Sequence, residues 1–217
     1  MTAADIGKNA NIAIAAPNAS SKKDGSYLTA TFDTTATFQV RVIDLKPEIA
    51  DCYGKMGLAS YYKRAYDQAI NYFKLCVEIN ESTNNEENNA IPLKYIGYAY
   101  DDLNNFDNAL LHYNRALKIN REYNNKQEIA SCLNNIGILY GAHTSLRQVS
   151  LEYYNESLLV SEGIKDSLGM LKALNNLGTF YIKNKNNDKA ILTLERSLVI
   201  QKNTRNNSFR GMTLNNL

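Results

Sequence analysis

Asparagine is the chemically capable side chain that recurs here in a pattern: Asn134-Asn135 sits inside Leu-Asn-Asn-Ile-Gly, and Asn175-Asn176 inside Leu-Asn-Asn-Leu-Gly. A carboxamide offers both a donor and an acceptor, so such pairs can hold polar partners without carrying charge. The other reactive types show no such order. Cys52, Cys76 and Cys132 are odd in number and lack CxxC spacing, which suits a reducing compartment such as the cytoplasm and small packing residues. His112 and His143 have no second ligand at metal spacing. No Ser/His/Asp or Cys/His order, glycine-rich phosphate loop or acidic pair stands out. Neither catalysis nor a metal or other cofactor is expected.

Something must position those asparagines, and the same sequence shows what. Gly57, Gly97, Gly137 and Gly178 follow one another at intervals of 40, 40 and 41 residues. Twelve residues after the first, second and fourth come Ala69, Ala109 and Ala190, and four beyond those Phe73, Tyr113 and Leu194. A fixed period of this size predicts a stacked solenoid. Each unit reads as two helices: first helices over 47–63, 89–103, 127–142 and 168–184, and second helices over 67–82, 107–123, 149–162 and 188–203. Asp67, Asp107 and Asp188 are placed to cap the second helices. The third unit has one residue more before its Ser150, which makes Thr144 or Ser145 the expected cap there. Gly97 with Ala109, and Ala116 with Cys76, Ser157 and Ser197, are small where helices must approach closely.

The units run over 47–88, 89–126, 127–167 and 168–207, with a truncated fifth unit over 208–217, because Met212 to Leu217 copies Lys172 to Leu177. A half-finished first helix leaves an apolar edge, so the C-terminal end is expected either to fray after about residue 205 or to associate with another copy. Residues 1–45 lack the repeat signature. Leu28, Ala30 and Phe32, then Phe38, Val40 and Val42, alternate with polar residues as two half-buried strands would, with a turn at 33–36. A decayed helix or an added extension are the competing readings.

Twenty-four basic and 22 acidic residues are interspersed, a net charge of +2 with no basic face for nucleic acid. No apolar run is long enough to span a membrane, and Asn11 to Ala16 is too short and polar for a secretory segment.

The order of Leu or Ile, Gly, Tyr, Ala, aromatic and Ala or Ser over residues 47–217 resembles the tetratricopeptide repeat, in the longer form seen in kinesin light chains and bacterial signalling proteins. The resemblance implies an all-α, right-handed superhelical solenoid whose concave wall is made by the first helices and binds a peptide or protein segment. In this register the groove positions carry Ile91, Lys94, Tyr98 and Asp101, then Ser131, Asn134, Ile138 and Gly141, then Lys172, Asn175, Thr179 and Ile182, with Asn135 and Asn176 at the edge. A column of asparagines there would pair with a peptide backbone; the bland alternative is that the pairs merely solvate a helix face. The carboxylate clamp of chaperone adaptors is not reproduced, since Tyr98 stands where an asparagine should follow Lys94. The chain therefore reads as a non-catalytic interaction module, the regulatory or sensor part of a larger signalling protein. The alternative is a scaffold that self-assembles through its open end.

Overall fold

The computed structural model describes residues 20–21, 27–31, 37–41, 45–142, 146–204 and 209–216. It divides into two units, Met1–Leu45 and Lys46–Leu217. In the first, β1 (Ser20–Ser21), β2 (Tyr27–Thr31) and β3 (Thr37–Arg41) form an antiparallel sheet in that order. Leu28 is in register with Val40 and Ala30 with Phe38 across β2 and β3. These stretches are strands, not a decayed helix; Phe32, Val42 and the turn at 33–36 lie outside the described residues.

The second unit is a run of helices: α1 (Lys46–Tyr62), α2 (Tyr66–Ser82), a 3-10 turn (Glu86–Asn89), α3 (Ala90–Asp102), α4 (Phe106–Glu122), α5 (Lys126–Ala142), α6 (Arg147–Gly163), α7 (Ser167–Lys183), α8 (Asn187–Thr204) and α9 (Arg210–Asn216). No described helix is long and apolar enough to cross a membrane.

One turn design is used throughout. Arg64, Asn84, Asn104, Asn124, Lys165 and Lys185 adopt left-handed backbone, with φ between 54° and 61°. The residue after each closes the preceding helix by donating its amide to the carbonyl five residues back, as Asn105 does to Tyr100 at 2.8 Å and Asn186 to Tyr181 at 2.9 Å. That double closure is the Schellman motif. Asparagine tolerates the left-handed conformation better than other non-glycine residues, which accounts for half of the set.

The same closing residue then starts the next helix. Asn105 accepts from the Asn108 amide, Asp166 from the Leu168 amide and Asn186 from the Lys189 amide. This corrects the expected caps: Asp67, Asp107 and Asp188 sit inside the first turn, where they complement the helix dipole, and do not cap. Ala65 occupies the cap position in the first unit and makes no side-chain bond. Thr144 and Ser145 lie outside the described residues, and α6 begins after Leu146, which makes no capping bond.

Within each hairpin the repeat glycine is a seat for the large residue of the second helix. A Cβ on Gly57, Gly97 or Gly137 would lie 2.5–2.6 Å from the ring of Phe73, Tyr113 or Tyr154, and one on Gly178 would lie 2.5 Å from Leu194. Tyr113 and Phe73 are buried to 1% exposure, each contributing roughly 2–3 kcal/mol of apolar transfer. Ala69, Ala109, Ala116 and Ser197 are fully buried, and Ser157 nearly so, as their size required.

Cys76 and Cys132 are buried, but Cys52 is exposed. Cys132 is approached by Asn120 from the preceding unit, and no such unit covers Cys52 among the described residues. Two apolar clusters result. One runs from α2 to α5, and a smaller one joins α6 to α7. Helix α9 is bonded to the fourth unit: Thr213, buried, donates to Asn175 Oδ1 of α7 at 2.8 Å and accepts from Gln201 Nε2 of α8 at 2.9 Å.

Candidate functional site

Successive first helices are tied together by side chains, not only stacked. Tyr61 of α1 donates to Asp102 of α3 at 3.0 Å. Lys94 of α3 pairs with Glu128 of α5. Asn135 of α5 donates to the Tyr98 hydroxyl at 2.9 Å, Asn176 of α7 donates to Asn134 Oδ1 at 2.8 Å, and Asn216 of α9 to Thr179 Oγ1 at 3.4 Å. The second asparagine of each pair therefore reaches back one repeat. Neither the groove-edge reading nor the solvation reading anticipated that job.

The first asparagine is turned inward. Asn134 is 6% exposed and Asn175 1%. Asn175 Nδ2 donates to the Leu171 carbonyl and to Ser197 Oγ, while its Oδ1 accepts from Thr213. Its carboxamide is thus committed to the seam between α7, α8 and α9, and the expectation that it presents itself to a peptide is corrected on that ground. The period explains the error: a position one helical step from the groove edge points between helices once the neighbouring unit is stacked on it.

What the first-helix face does expose is a polar pocket of about 260 Å³ spanning α3, α5 and the start of α7. Lys94, Tyr98, Asn134 and Lys172 of the expected site line it together with Glu128, Ser131, Asp166 and Gly169. Asn135, Asn175 and Asn176 do not. Burial acts against the charge on Lys94, but the bond it donates to Glu128 and that residue's negative charge outweigh it, so the ammonium is held above its ordinary range. Ile91, Ile138 and Ile182 stand exposed on the first helices, as the groove register predicts.

An aromatic cluster flanks the pocket: Tyr98 stands edge-on to Tyr95 and Tyr113, and Tyr61 packs against Tyr62, Tyr66, Tyr95 and Tyr98. Tyr62 remains the exposed member. Burial and the Asp102 bond raise the Tyr61 hydroxyl well above the usual tyrosine range, so it acts as a neutral donor. A second recess of about 410 Å³ lies between α1, α2 and α3 and is mostly apolar; none of the expected site residues lines it. No cluster of three or more His, Cys, Asp or Glu suited to a metal occurs among the described residues. His112, stacked on Tyr100, is buried on a second helix, away from the pocket lining.

Glu128 and Gly169 were missed in the sequence because their roles depend on the neighbouring repeat. The available signal was their shared offset, each standing nine residues before a repeat glycine.

Sequence profiles described as tetratricopeptide repeat match residues 48–122 and residues 171–204. No curated protein sequence matches. Several solved structures share the fold. The apo form of RapI aligns with a TM-score of 0.71 at 20% identity, over 79% of this chain and 62% of that one. A Rap protein complexed with Competence and Sporulation Factor gives 0.69 at 18% identity, over 79% and 48%. BtubC (BKLC) from P. vanneervenii gives 0.64 at 22% identity, over 77% and 68%. The chain spans about half the length of that Rap protein and of the Rap conjugation gene regulator in complex with the Phr* peptide.

Proposed function

Because this chain belongs to the tetratricopeptide-repeat family, we propose that it is a non-catalytic module that binds an extended peptide or protein segment in the groove formed by its first helices. The observation that carries this reading is the polar pocket across three successive first helices, lined by Lys94, Tyr98, Asn134 and Lys172. Asn135 and Asn176 serve the site indirectly, by holding neighbouring first helices in register. The Tyr98 hydroxyl accepts from Asn135 and keeps its own proton to donate to a peptide carbonyl.

Support for a regulatory setting comes from the likeness to a Rap protein holding Competence and Sporulation Factor and to a Rap conjugation regulator holding the Phr* peptide. The phosphatase activity named for another similar structure is not carried over, since the described residues here offer no catalytic constellation. Selection of random phage-displayed peptides on the chain tests the reading. Enriched peptides should bind the Tyr98→Ala, Lys172→Ala double variant at least about tenfold more weakly. Equal binding by the double variant rejects the groove.

Self-assembly is the second reading, favoured by the exposed apolar side chains Leu192 and Val199 of α8 and Leu214 of α9. Light scattering across a concentration series separates the two, because only self-assembly makes the mass rise with concentration.

A further inference from the structure

The residue three before each repeat glycine is Lys94, Asn134 or Asn175 in the later units, and each commits its side chain to a seam. In the first unit that residue is Gly54. A Cβ on it would meet only the Cys76 sulfur, at 3.8 Å, which is ordinary contact distance. The space is therefore open, and the recess of about 410 Å³ between α1, α2 and α3 lies there with Gly54 in its wall.

Pro47, Leu58, Phe73, Cys76, Ile91 and Pro92 make the rest of that wall mostly apolar. Its phenyl ring and its polarizable sulfur both favour contact with another ring. The two charged residues of the lining, Asp51 and Lys55, are exposed and pair with each other at 2.6 Å. An ion entering the recess would lose water without gaining a counter-charge, so the lining selects a neutral occupant.

One polar group is built into the recess. Asn80 lines it and is 4% exposed. Its Nδ2 donates to Asn89 Oδ1 at 2.9 Å and approaches Cys76 Sγ at 3.7 Å, while its Oδ1 accepts from no group among the described residues. At the corresponding position of the later units Asn120 Oδ1, Ser161 Oγ and Gln201 Oε1 also lack partners, but they are closed off inside the stack. In the first unit, where Gly54 supplies no side chain, the same row opens onto a cavity of ligand size.

We propose that this recess binds a neutral aromatic group with one N–H or O–H at its edge, of the indole or phenol class. The donor bonds to Asn80 Oδ1, and the ring sits over Gly54 against Phe73 and Cys76. A wholly apolar occupant would leave the buried Asn80 oxygen unmet, which is the more costly arrangement. The site is separate from the groove pocket and does not depend on the groove reading.

Indole and benzofuran, similar in shape but differing in the N–H, serve as probes titrated into the 15N-labelled chain. Indole should give saturable shifts at the Gly54 amide and the Asn80 side-chain amide, and benzofuran should bind at least about tenfold more weakly. The chain contains no tryptophan, so the emission of bound indole reads the same titration without background. Gly54→Leu fills the recess and should abolish the indole shifts without lowering the thermal midpoint, since the space is open and a helical glycine is replaced. The peptide N-acetyl-Ser-Ala-Trp-Ala-Ser-amide separates two sources of the ring. Tighter binding than free indole, with added shifts along α3, assigns a peptide side chain; binding no tighter assigns a free small molecule. Benzofuran binding as tightly as indole, indole binding unchanged in Gly54→Leu, or no saturable shift at Gly54 with either indole or the peptide overturns the proposal. The benzofuran comparison uses the unaltered chain, so it decides even where Gly54→Leu fails to fold.

Discussion

Among the described residues, 46–142 bury twenty apolar side chains and seven polar ones, whereas 147–216 bury nine apolar and seven polar. The repeat is the same and the seams are not. In the first region Phe73, Leu93, Ile96, Tyr113 and Leu133 form one continuous cluster across repeats. In the second a smaller apolar cluster joins α6 to α7, and hydroxyls and amides add bonds between helices: Asn175 to Ser197, Gln201 to Thr213 and Thr213 to Asn175, with Ser157 bonding back to the Ala130 carbonyl of the first region.

A buried hydrogen bond contributes about 1 kcal/mol net, less than a large apolar side chain, but leaving one partner unmet costs more. The first region should therefore hold the array together, and the second should define its register and open first. Buried polar atoms without partners occur in both regions, His112 Nδ1 and Asn120 Oδ1 in the first and Ser161 Oγ and Gln201 Oε1 in the second, so the contrast rests on the apolar clusters.

The largest test uses the same small-residue slot in both regions. Ala116→Arg forces a long charged side chain into a fully buried position of the first region, and should cost more than about 3 kcal/mol and lower the whole thermal transition. Ser197→Arg should melt residues 167–216 while residues 66–139 keep their hydrogen-exchange protection. If Ser197→Arg unfolds everything together, the two regions are one cooperative unit and the contrast fails.

Acid should act on the first region through His112. Burial, helped by Arg115 and Lys74, lowers its pKa from the ordinary 6.5 to about 4. A base held neutral in the folded state contributes stability above its unfolded pKa. That contribution is lost as pH falls from about 6.5 towards about 4, because the unfolded chain takes up the proton first. Urea titrations should show up to about 3 kcal/mol less stability at pH 4 than at pH 7, with a smaller loss in His112→Phe. Identical pH profiles for the two proteins would assign the acid response elsewhere.

Asn175→Ala should cost about 2 kcal/mol, since it leaves Ser197 and Thr213 short of a partner inside the second region. Hydrogen exchange should speed up in α7, α8 and α9 and remain unchanged in α2 to α4. Uniform acceleration along the array would contradict the division.

The smallest effect belongs to the ion pairs joining successive second helices. Arg115–Glu81 at 3.1 Å and Arg121–Glu156 at 2.7 Å are about half exposed. A double-mutant cycle on either should return less than about 0.5 kcal/mol, falling with salt. A coupling above about 1 kcal/mol for Arg115–Glu81 would mean that the outer face, not the apolar cluster, joins the repeats of the first region.

The sequence by itself determined the helix pairs and their boundaries to within a few residues, the small-residue slots, and the fixed offset of a large second-helix residue from each repeat glycine. Those features are set by local propensity or by steric demands that return at every period, so one chain carries several copies of the same signal. Only the tertiary structure decided what each asparagine does. Asn84, Asn104 and Asn124 hold left-handed turns, Asn105 and Asn186 cap helices, Asn135 and Asn176 bind the preceding repeat, and Asn175 is spent in a seam. An amide's role depends on which groups meet it, and the inter-repeat bonds reach partners 37 to 42 residues away. The same dipeptide can therefore serve a turn or a seam, and stacking of the neighbouring repeat makes the choice.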